Sequence, residues 1–316
     1  MKMPENRITT GRFAPSPTGR MHLGNVYSAV LSWLSARKSS GRWVLRIEDL
    51  DPQRSKIEYS RLIEDDLRWL GLDWDEGGLA DLGPSGPYSQ SRRADIYNEW
   101  YVRLETLGLT YRCRCRRSDI LASQAPHQSD GRVVYAGTCR PSAAPPFPRP
   151  TSDAGSLRLY VPDRDVVYTD RVFGEQCVNL ARDCGDFILR RTDGVWAYQL
   201  AVVVDDACMG VTEVVRGADL LLSAAQQIYL YGLFGLTPPE HAHLPLLCNS
   251  SGQRLSKRDG AMAMDALRST LSPEEVLGRV AFLAGVIPHD EAISLVELLH
   301  EFSWDKIVDK TKSTPA

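Results

Sequence analysis

An α/β fold built on an open parallel sheet is predicted by three features of the chain. Short apolar runs alternate with amphipathic helical stretches. The first such run leads through a stiff Pro/Gly turn into a helix, the layout of a nucleotide site. Carboxylates stand at the end of the second run, and in open parallel sheets ligands bind at that edge. The 316 residues, 43% of them hydrophobic, suffice for a proper core in one large domain with insertions, or in two domains. A net charge of −3 excludes a general nucleic-acid binder held by bulk positive charge, although a local basic surface can still meet RNA. The N-terminal Met-Lys-Met-Pro-Glu-Asn-Arg has no apolar run and no window approaches bilayer-spanning length, so no membrane partner is expected and the cytoplasm is the expected compartment. Seven cysteines, an odd number without a secretion signal, argue against a disulfide framework.

Taken in order, Ile8 to Ala14 reads as a short buried strand that delivers Arg12 near its end. Arg12 to Asn25 then reads Arg-Phe-Ala-Pro-Ser-Pro-Thr-Gly-Arg-Met-His-Leu-Gly-Asn. Its two prolines and Gly19 cannot continue a strand, and Gly24 lets backbone approach a ligand where the next helix begins. A helix N-terminus offers unpaired amide donors and a positive dipole end, and His22 adds a side-chain donor, so the geometry suits a phosphate. Val26, Ala29, Val30, Trp33 and Leu34 fall on one helical face, and Gly41 ends the pattern. Trp43 to Ile47 is a second strand-like run ending in Glu48-Asp49-Leu50-Asp51-Pro52; for Asp51 a helix-capping role is the alternative. Helices follow at Ile57 to Leu70 and Arg92 to about Leu107, with Gln90 and its neighbours read as structural.

Cys113 and Cys115, with Cys139 on a second turn, can furnish three thiolates to a tetrahedral zinc, which needs a fourth ligand in a closed site. A stiff linker, Pro141 to Pro150, closes this segment. Ser156 to Val161 and Val166 to Phe173 have strand composition, and Asp193-Gly194 between apolar runs is a hairpin signal. Trp196 to Val204 is a buried element ending in Asp205-Asp206. Beyond Val211 to Arg216, Asp219 reads as the cap of a helix running through Leu233, and a surface pair with Asp219 is the plain alternative for Arg216. A strand from His243 to Leu247 leads into the basic loop Arg254-Leu255-Ser256-Lys257-Arg258-Asp259-Gly260, of the sort that closes over a polyphosphate. From Ser272 onward the chain is helical.

Pro15-Ser16-Pro17-Thr18-Gly19-x-x-His22-Leu23-Gly24, paired with the later Leu255-Ser256-Lys257-Arg258, resembles the two ATP motifs of class I aminoacyl-tRNA synthetases in the glutamyl branch. The resemblance covers roughly residues 11–262. It implies a Rossmann-like class I aminoacyl-tRNA synthetase catalytic domain in two halves, 1–110 and 151–262. A zinc-binding insertion with its linker at 111–150 and a short helical C-terminal extension at 263–316 complete the expected plan. It also implies activation of L-glutamate by ATP, with His22 and Lys257 as catalytic residues and His22, Gly24, Asn25, Ser256 and Lys257 holding ATP. Mg²⁺ accompanies the ATP, held largely by substrate and water. Arg12 and Arg216 would serve the carboxylates of glutamate, Glu48 its ammonium and Tyr198 a remaining polar group, in a pocket that includes Phe13, Ala14, Pro15 and Ser16. Short enzymes similar to glutamyl-tRNA synthetase bind zinc through Cys-x-Cys and Tyr-x-x-x-Cys, which maps to Cys113, Cys115, Tyr135 and Cys139; His127 is the conventional rival to Tyr135 by residue type.

Three positions depart from the family pattern. Asn25 replaces the second histidine of the general motif, Arg254 stands where the loop motif has lysine, and Gln199 occupies a place often held by asparagine. Full glutamyl-tRNA synthetases continue into an anticodon-reading domain for which too few residues remain here. That implies the short branch, whose acceptor is the queuosine base of tRNA(Asp), acting as a monomer. The alternatives are a truncated enzyme charging tRNA(Glu) at its 3′ end and a synthetase-like binding module without catalysis.

Overall fold

The structure is a computed structural model and describes residues 8–116, 118, 134–150, 154–247 and 263–313. Strand β1 (Thr10–Phe13) passes through the proline-rich turn into α1 (Leu23–Lys38), and β2 (Arg42–Leu45), α2 (Ile57–Trp69) and β3 (Glu76–Gly77) follow. β1, β2 and β3 form a parallel sheet in that order, with Arg12 opposite Val44 and Val44 opposite Glu76. Helix α3 (Ala94–Thr106) leads to β4 (Thr110–Cys113), which with β5 (Ser156–Leu159) and β8 (Phe187–Arg190) makes a separate antiparallel sheet. Strands β6 (Asp165–Asp170), β7 (Gly174–Asn179), β9 (Glu213–Gly217) and β10 (Glu240–Leu244) form the third sheet in the order β7-β6-β10-β9. β9, β10 and β6 run parallel there, and β7 is the antiparallel edge. The remaining helices are α4 (Tyr198–Cys208), α5 (Leu221–Leu233), α6 (Met264–Thr270), α7 (Pro273–Ala284), α8 (Leu295–Glu301) and α9 (Trp304–Ser313). The predicted α/β class with a parallel sheet is what the chain adopts.

The two parallel sheets meet at β1 and β9. The Thr10 amide donates to Thr212 Oγ1 at 2.8 Å, and the Thr212 amide donates to the Thr10 carbonyl at 2.9 Å. Their C-terminal ends face a common opening, the place where parallel α/β sheets leave room for a ligand.

Helix α1 departs from the one-faced pattern read from the sequence. Leu23, Tyr27, Leu31, Ser32 and Ser35 are buried as well as Val26, Val30, Trp33 and Leu34. The reason is a second layer: the sheet covers one side of α1, and α7 and α8 cover another. Val276, Leu277 and Val280 share one core with Val26 and Val30, Trp304 Nε1 donates to Ser35 Oγ at 3.0 Å, and Lys38 Nζ donates to the Leu299 and His300 carbonyls. Each such fully buried Val or Leu contributes roughly 1.5–3 kcal/mol relative to an exposed one, so the C-terminal helices help to hold the nucleotide-facing helix in place. Ser272 caps α7 through a capping box with Glu275, Pro273 opens it, and Gly285 closes it in the left-handed region at φ 79°.

Two capping expectations are corrected. Asp219 lies in a short 3₁₀ turn, and α5 begins after Leu220 with no side-chain cap. Asp51 caps no helix: it accepts from the Gln53 amide and pairs with Arg191 at 3.1 Å, while Lys56 precedes α2 without a side-chain cap. The Asp193-Gly194 turn forms as predicted, joining Arg190 to Trp196 across an antiparallel bridge.

Candidate active site

A cavity of about 470 Å³ opens at the C-terminal ends of β1 and β9. Arg12, Phe13, Ala14, Pro15, Ser16, His22, Gly24, Asn25, Glu48, Tyr198 and Arg216 all line it. Arg20, Asp219 and Leu244 to Leu247, which the sequence reading did not place at a ligand, complete parts of the wall. Ser256 and Lys257 lie outside the described residues. The residues that flank their segment stand at the cavity: Leu247 lines it, and Ala263 pairs in an antiparallel bridge with His22.

His22 is the N-cap of α1, in extended backbone conformation. Its Nδ1 accepts from the Gly24 amide at 3.1 Å, and its own amide donates to Asn25 Oδ1 at 3.1 Å. A neutral ring that accepts at Nδ1 carries its proton on Nε2, so the cap fixes the tautomer that presents a donor. A Cβ at position 24 would stand 3.1 Å from the imidazole, which accounts for glycine there. Asn25 therefore has a local task that the motif comparison did not suggest, completion of the cap.

Arg12 from β1 and Glu48, three residues past the end of β2, meet a buried charge network that centres on Arg46. Arg46 Nη1 donates to Asp206 Oδ1 at 2.6 Å and Nη2 to Glu48 Oε1 at 3.1 Å, and its Nε stands 3.7 Å from Asp205. Asp205 also accepts from Arg93 Nε at 2.6 Å, Gln90 Nε2 at 2.7 Å and Tyr97 Oη at 2.9 Å. Arg12 Nε stands 3.5 Å from Asp206, and its Nη1 reaches the Val215 carbonyl. Burial draws the Arg12 guanidinium down from its usual range, with Asp206 opposing, and it remains the cation at any physiological pH. Burial pushes the Glu48 carboxyl up, against the pull of Arg46 and Arg12, and pushes the Tyr198 hydroxyl up. Gln90 is structural, as its sequence suggested.

Arg216 does not pair with Asp219. It is buried, donating from Nε to His243 Nε2 at 3.1 Å, from Nη1 to Gln227 Oε1 at 2.8 Å and from Nη2 to the Leu220 carbonyl at 3.3 Å. The cavity is thus lined by guanidinium groups from β1 and β9 and by the Glu48 carboxylate. That charge pattern matches an amino acid bearing an extra carboxylate.

Away from the cavity, the Sγ atoms of Cys113, Cys115 and Cys139 all lie within 4.8 Å of one another, and none forms a disulfide. Tyr135 Oη stands 3.3 Å from Cys113 Sγ and 4.0 Å from Cys115 Sγ, and accepts from the Cys139 amide at 2.6 Å. Three sulfurs and one oxygen with this spacing fit a tetrahedral metal, and the thiol-rich donor set suits zinc. Although burial opposes it, hydrogen bonding with Tyr135 and Arg158 brings the Cys113 thiol down to about 7, while burial and its sulfur neighbours push Cys115 up to about 11. Arg158 stacks on the Tyr135 ring at 3.7 Å. Asp186 ties the cluster to the main body, accepting from Tyr111 Oη, from Arg140 Nε at 2.7 Å and from the Val161 amide at 2.8 Å. His127 lies outside the described residues.

Fold and cavity together define the catalytic domain of a class I aminoacyl-tRNA synthetase. The family model for tRNA synthetases class I (E and Q), catalytic domain, matches residues 8–314, and the chain belongs to that family of ligases. The match runs well past residue 262, where the sequence motifs stop, in keeping with the packing of the C-terminal helices on α1. Within the family, its relatives include the Glutamyl-Q tRNA(Asp) synthetase of Nitratidesulfovibrio vulgaris, 48% identical over 88% of this chain and 87% of that one. The Glutamyl-Q tRNA(Asp) synthetase of Symbiobacterium thermophilum is 45% identical over 97% and 96%. A solved glutamate tRNA ligase from Elizabethkingia meningosepticum, in complex with its amino acid, superposes with a TM-score of 0.80 at 30% identity. That comparison covers 95% of this chain and 66% of the ligase. Glutamyl-tRNA synthetase-like activity, with ATP, glutamate and tRNA as substrates, follows from this membership. Among the described residues no helix is long and apolar enough to cross a membrane.

Proposed function

We propose that this protein activates L-glutamate with ATP and transfers it to the queuosine base of tRNA(Asp). In the first step a carboxylate oxygen of glutamate attacks the α-phosphorus of ATP, the bond to the bridging oxygen breaks, and pyrophosphate leaves. In the second step a hydroxyl of the queuosine cyclopentene ring attacks the acyl carbon, AMP departs with the mixed-anhydride oxygen, and the hydroxyl proton is released. No protein nucleophile takes part, so acceleration comes from positioned donors and cations.

His22 donates from Nε2 to the ATP phosphates, and the amides at the start of α1, around Gly24 and Asn25, add the field of a helix N-terminus. Ser256 and Lys257 of the second family motif bind the ATP phosphates. Arg12 and Arg216 receive the carboxylates of glutamate, Glu48 receives the ammonium, and Tyr198 with the Phe13 to Ser16 run completes the pocket. Mg²⁺ bound with ATP would offset the charge of the phosphates. Cys113, Cys115, Cys139 and Tyr135 would hold zinc, which would serve structure, since none of the four lines the cavity. A tRNA acceptor places the work in the cytoplasm.

The observation that supports this reading most is convergence. Every described residue proposed to bind glutamate or ATP lines one cavity, in a chain that spans 96% of the Symbiobacterium thermophilum relative. The test compares queuosine-containing with unmodified tRNA(Asp) as acceptors of labelled glutamate, then locates the label by nuclease digestion. Label on the modified base supports the proposal. Label on the terminal adenosine, or charging of tRNA(Glu), would overturn it in favour of 3′-end aminoacylation. Failure of glutamate-dependent pyrophosphate exchange would leave a binding module.

A further inference from the structure

A line of buried hydrogen bonds runs from the end of β6 to the cavity and holds Arg216 from two sides. At its far end is Asp170, fixed by backbone: Oδ1 accepts from the Val172 and Phe173 amides at 3.0 Å each, and Oδ2 from the His243 amide at 3.1 Å. The same Oδ2 stands 2.6 Å from His243 Nδ1. On the other edge of the ring, His243 Nε2 stands 3.1 Å from Arg216 Nε. An arginine Nε only donates, so His243 Nε2 must accept and the ring proton must sit on Nδ1, directed at Asp170. Carboxylate, imidazole and guanidinium are thereby locked in one hydrogen-bond direction. Neither Asp170 nor His243 lines the cavity.

The second hold is an amide chain. Gln227 Oε1 accepts from Arg216 Nη1 at 2.8 Å, which turns the Gln227 amide so that Nε2 donates to Gln199 Oε1 at 3.0 Å. Gln199 in turn donates to Gln226 and Ser223. With Nε given to His243 and Nη2 reaching the Leu220 carbonyl, the side edge of the guanidinium is occupied from within the protein. Arg216 lines the cavity, and each Nη carries two protons, one more than its single bond to Gln227 or Leu220 uses.

We propose that Asp170 and His243 are positioning residues that fix the Arg216 guanidinium so that its terminal edge reads a substrate carboxylate, and that this rigidity sets the preference for glutamate over glutamine. The inference rests on the reading that Arg216 faces glutamate. A terminal edge held in place presents donors alone. A carboxylate satisfies them in bidentate fashion, whereas a carboxamide brings its own NH₂ donors against them and carries no charge. A guanidinium free to swing relieves that mismatch and weakens the discrimination.

The experiment is amino-acid-dependent ATP–pyrophosphate exchange by the full chain, with glutamate and with glutamine, on the wild type and on Arg216→Ala, His243→Leu, His243→Gln and Asp170→Asn. His243→Leu is expected to raise the KM for glutamate roughly tenfold, as when a charge-assisted contact loses alignment, with the KM for ATP held within about twofold and the glutamate-to-glutamine ratio of kcat/KM reduced. His243→Gln, whose amide oxygen can accept from Arg216 Nε, should recover most of both. If the leucine variant fails to fold, Asp170→Asn preserves shape and should give the same KM split in milder form. Raised KM for glutamate in Arg216→Ala, but wild-type KM and discrimination in both His243→Leu and Asp170→Asn, would overturn the inference while sparing the pocket assignment. Parallel rises in both KM values would also overturn it, as general loosening. An unchanged KM for glutamate in Arg216→Ala would instead remove the pocket assignment, and this inference with it.

Discussion

Arg20 and Arg268 share one carboxylate oxygen. Arg20 Nη2 and Arg268 Nη1 donate to Asp66 Oδ1 at 2.7 and 2.8 Å, and burial pushes the Asp66 carboxyl up while the two arginines draw it down. Arg20 belongs to the turn that lines the cavity, and Arg268 to α6, the first helix after the segment that contains Lys257. Asp66 on α2 therefore ties the turn of the first proposed ATP motif to α6. Asp66→Ala is expected to raise the KM for ATP in pyrophosphate exchange about tenfold, the cost of two charge-assisted hydrogen bonds, and to leave the KM for glutamate within about twofold. Equal effects on both constants would argue against a clamp specific to the nucleotide side.

Arg46 is fully buried between Glu48, Asp205 and Asp206. Removing one partner of a buried ionic network leaves uncompensated charge, which typically costs about 3–5 kcal/mol. Arg46→Met should lower stability by roughly that amount in urea unfolding. A loss below about 1 kcal/mol would mean that the acids take up protons or water instead, and that the network is less rigid than its distances suggest.

Removal of metal should separate stability from catalysis. Protein purified without chelator is expected to carry about one zinc ion per chain, and Cys113→Ser or Cys139→Ser to lose it. Tyr135→Phe should weaken zinc retention without abolishing it, since three thiolates remain. Because no residue of the cluster lines the cavity, zinc-depleted protein should melt at lower temperature yet retain its KM for glutamate within about twofold while folded. Metal analysis of the purified variants, alongside thermal melts, checks each part.

His241 and His243 predict acid sensitivity. Burial holds both below the ordinary value of 6.5, and the rings stack 5.8 Å apart. Depressed histidines stay neutral in the folded chain while the unfolded chain takes up protons below about pH 6.5, so this contribution is fully present above that pH and is lost as pH falls towards the folded values. The limiting slope is about 1.4 kcal/mol per pH unit for each histidine. Asp170, lowered by its hydrogen bonds from His243 and the backbone against the cost of burial, acts in the same direction below its ordinary value of 3.8. Melting temperature should fall between about pH 7.5 and 5.5 in wild type, and less steeply in His243→Gln. A flat wild-type profile would show that the imidazoles are not buried in neutral form.

Much of this was legible in the residues themselves. The turn before α1, the strand that ends in Arg12, the Asp193-Gly194 hairpin and the Ser272-Pro273 helix start are set by local chemistry, and local chemistry is what a sequence displays. The pocket residues Glu48, Tyr198 and Arg216 were reached through the family motifs, since only the tertiary fold brings them together. The partners that hold them were harder. Arg46 follows β2 directly, two residues before Glu48, and the alternation of an extended chain puts the two on one side, a signal the sequence displays. Asp205-Asp206 closing an apolar run was visible as an oddity, but its meaning required Arg46 and Arg93 from elsewhere in the chain. Nothing near His243 in sequence points to Arg216 or Asp170, because parallel strands pair across long crossovers. Asp219 was misread because a polar residue before an apolar helix looks like a cap, whereas here a 3₁₀ turn intervenes.

The capping box at the start of α1 has a consequence for how this enzyme can vary. Asn25 Oδ1 takes the His22 amide while the His22 ring takes the Gly24 amide, so a replacement at position 25 must still bring an acceptor to the first helical turn. Among descendants of this chain position 25 should keep a side chain that accepts a hydrogen bond, and a library randomising it should return active members enriched in such residues.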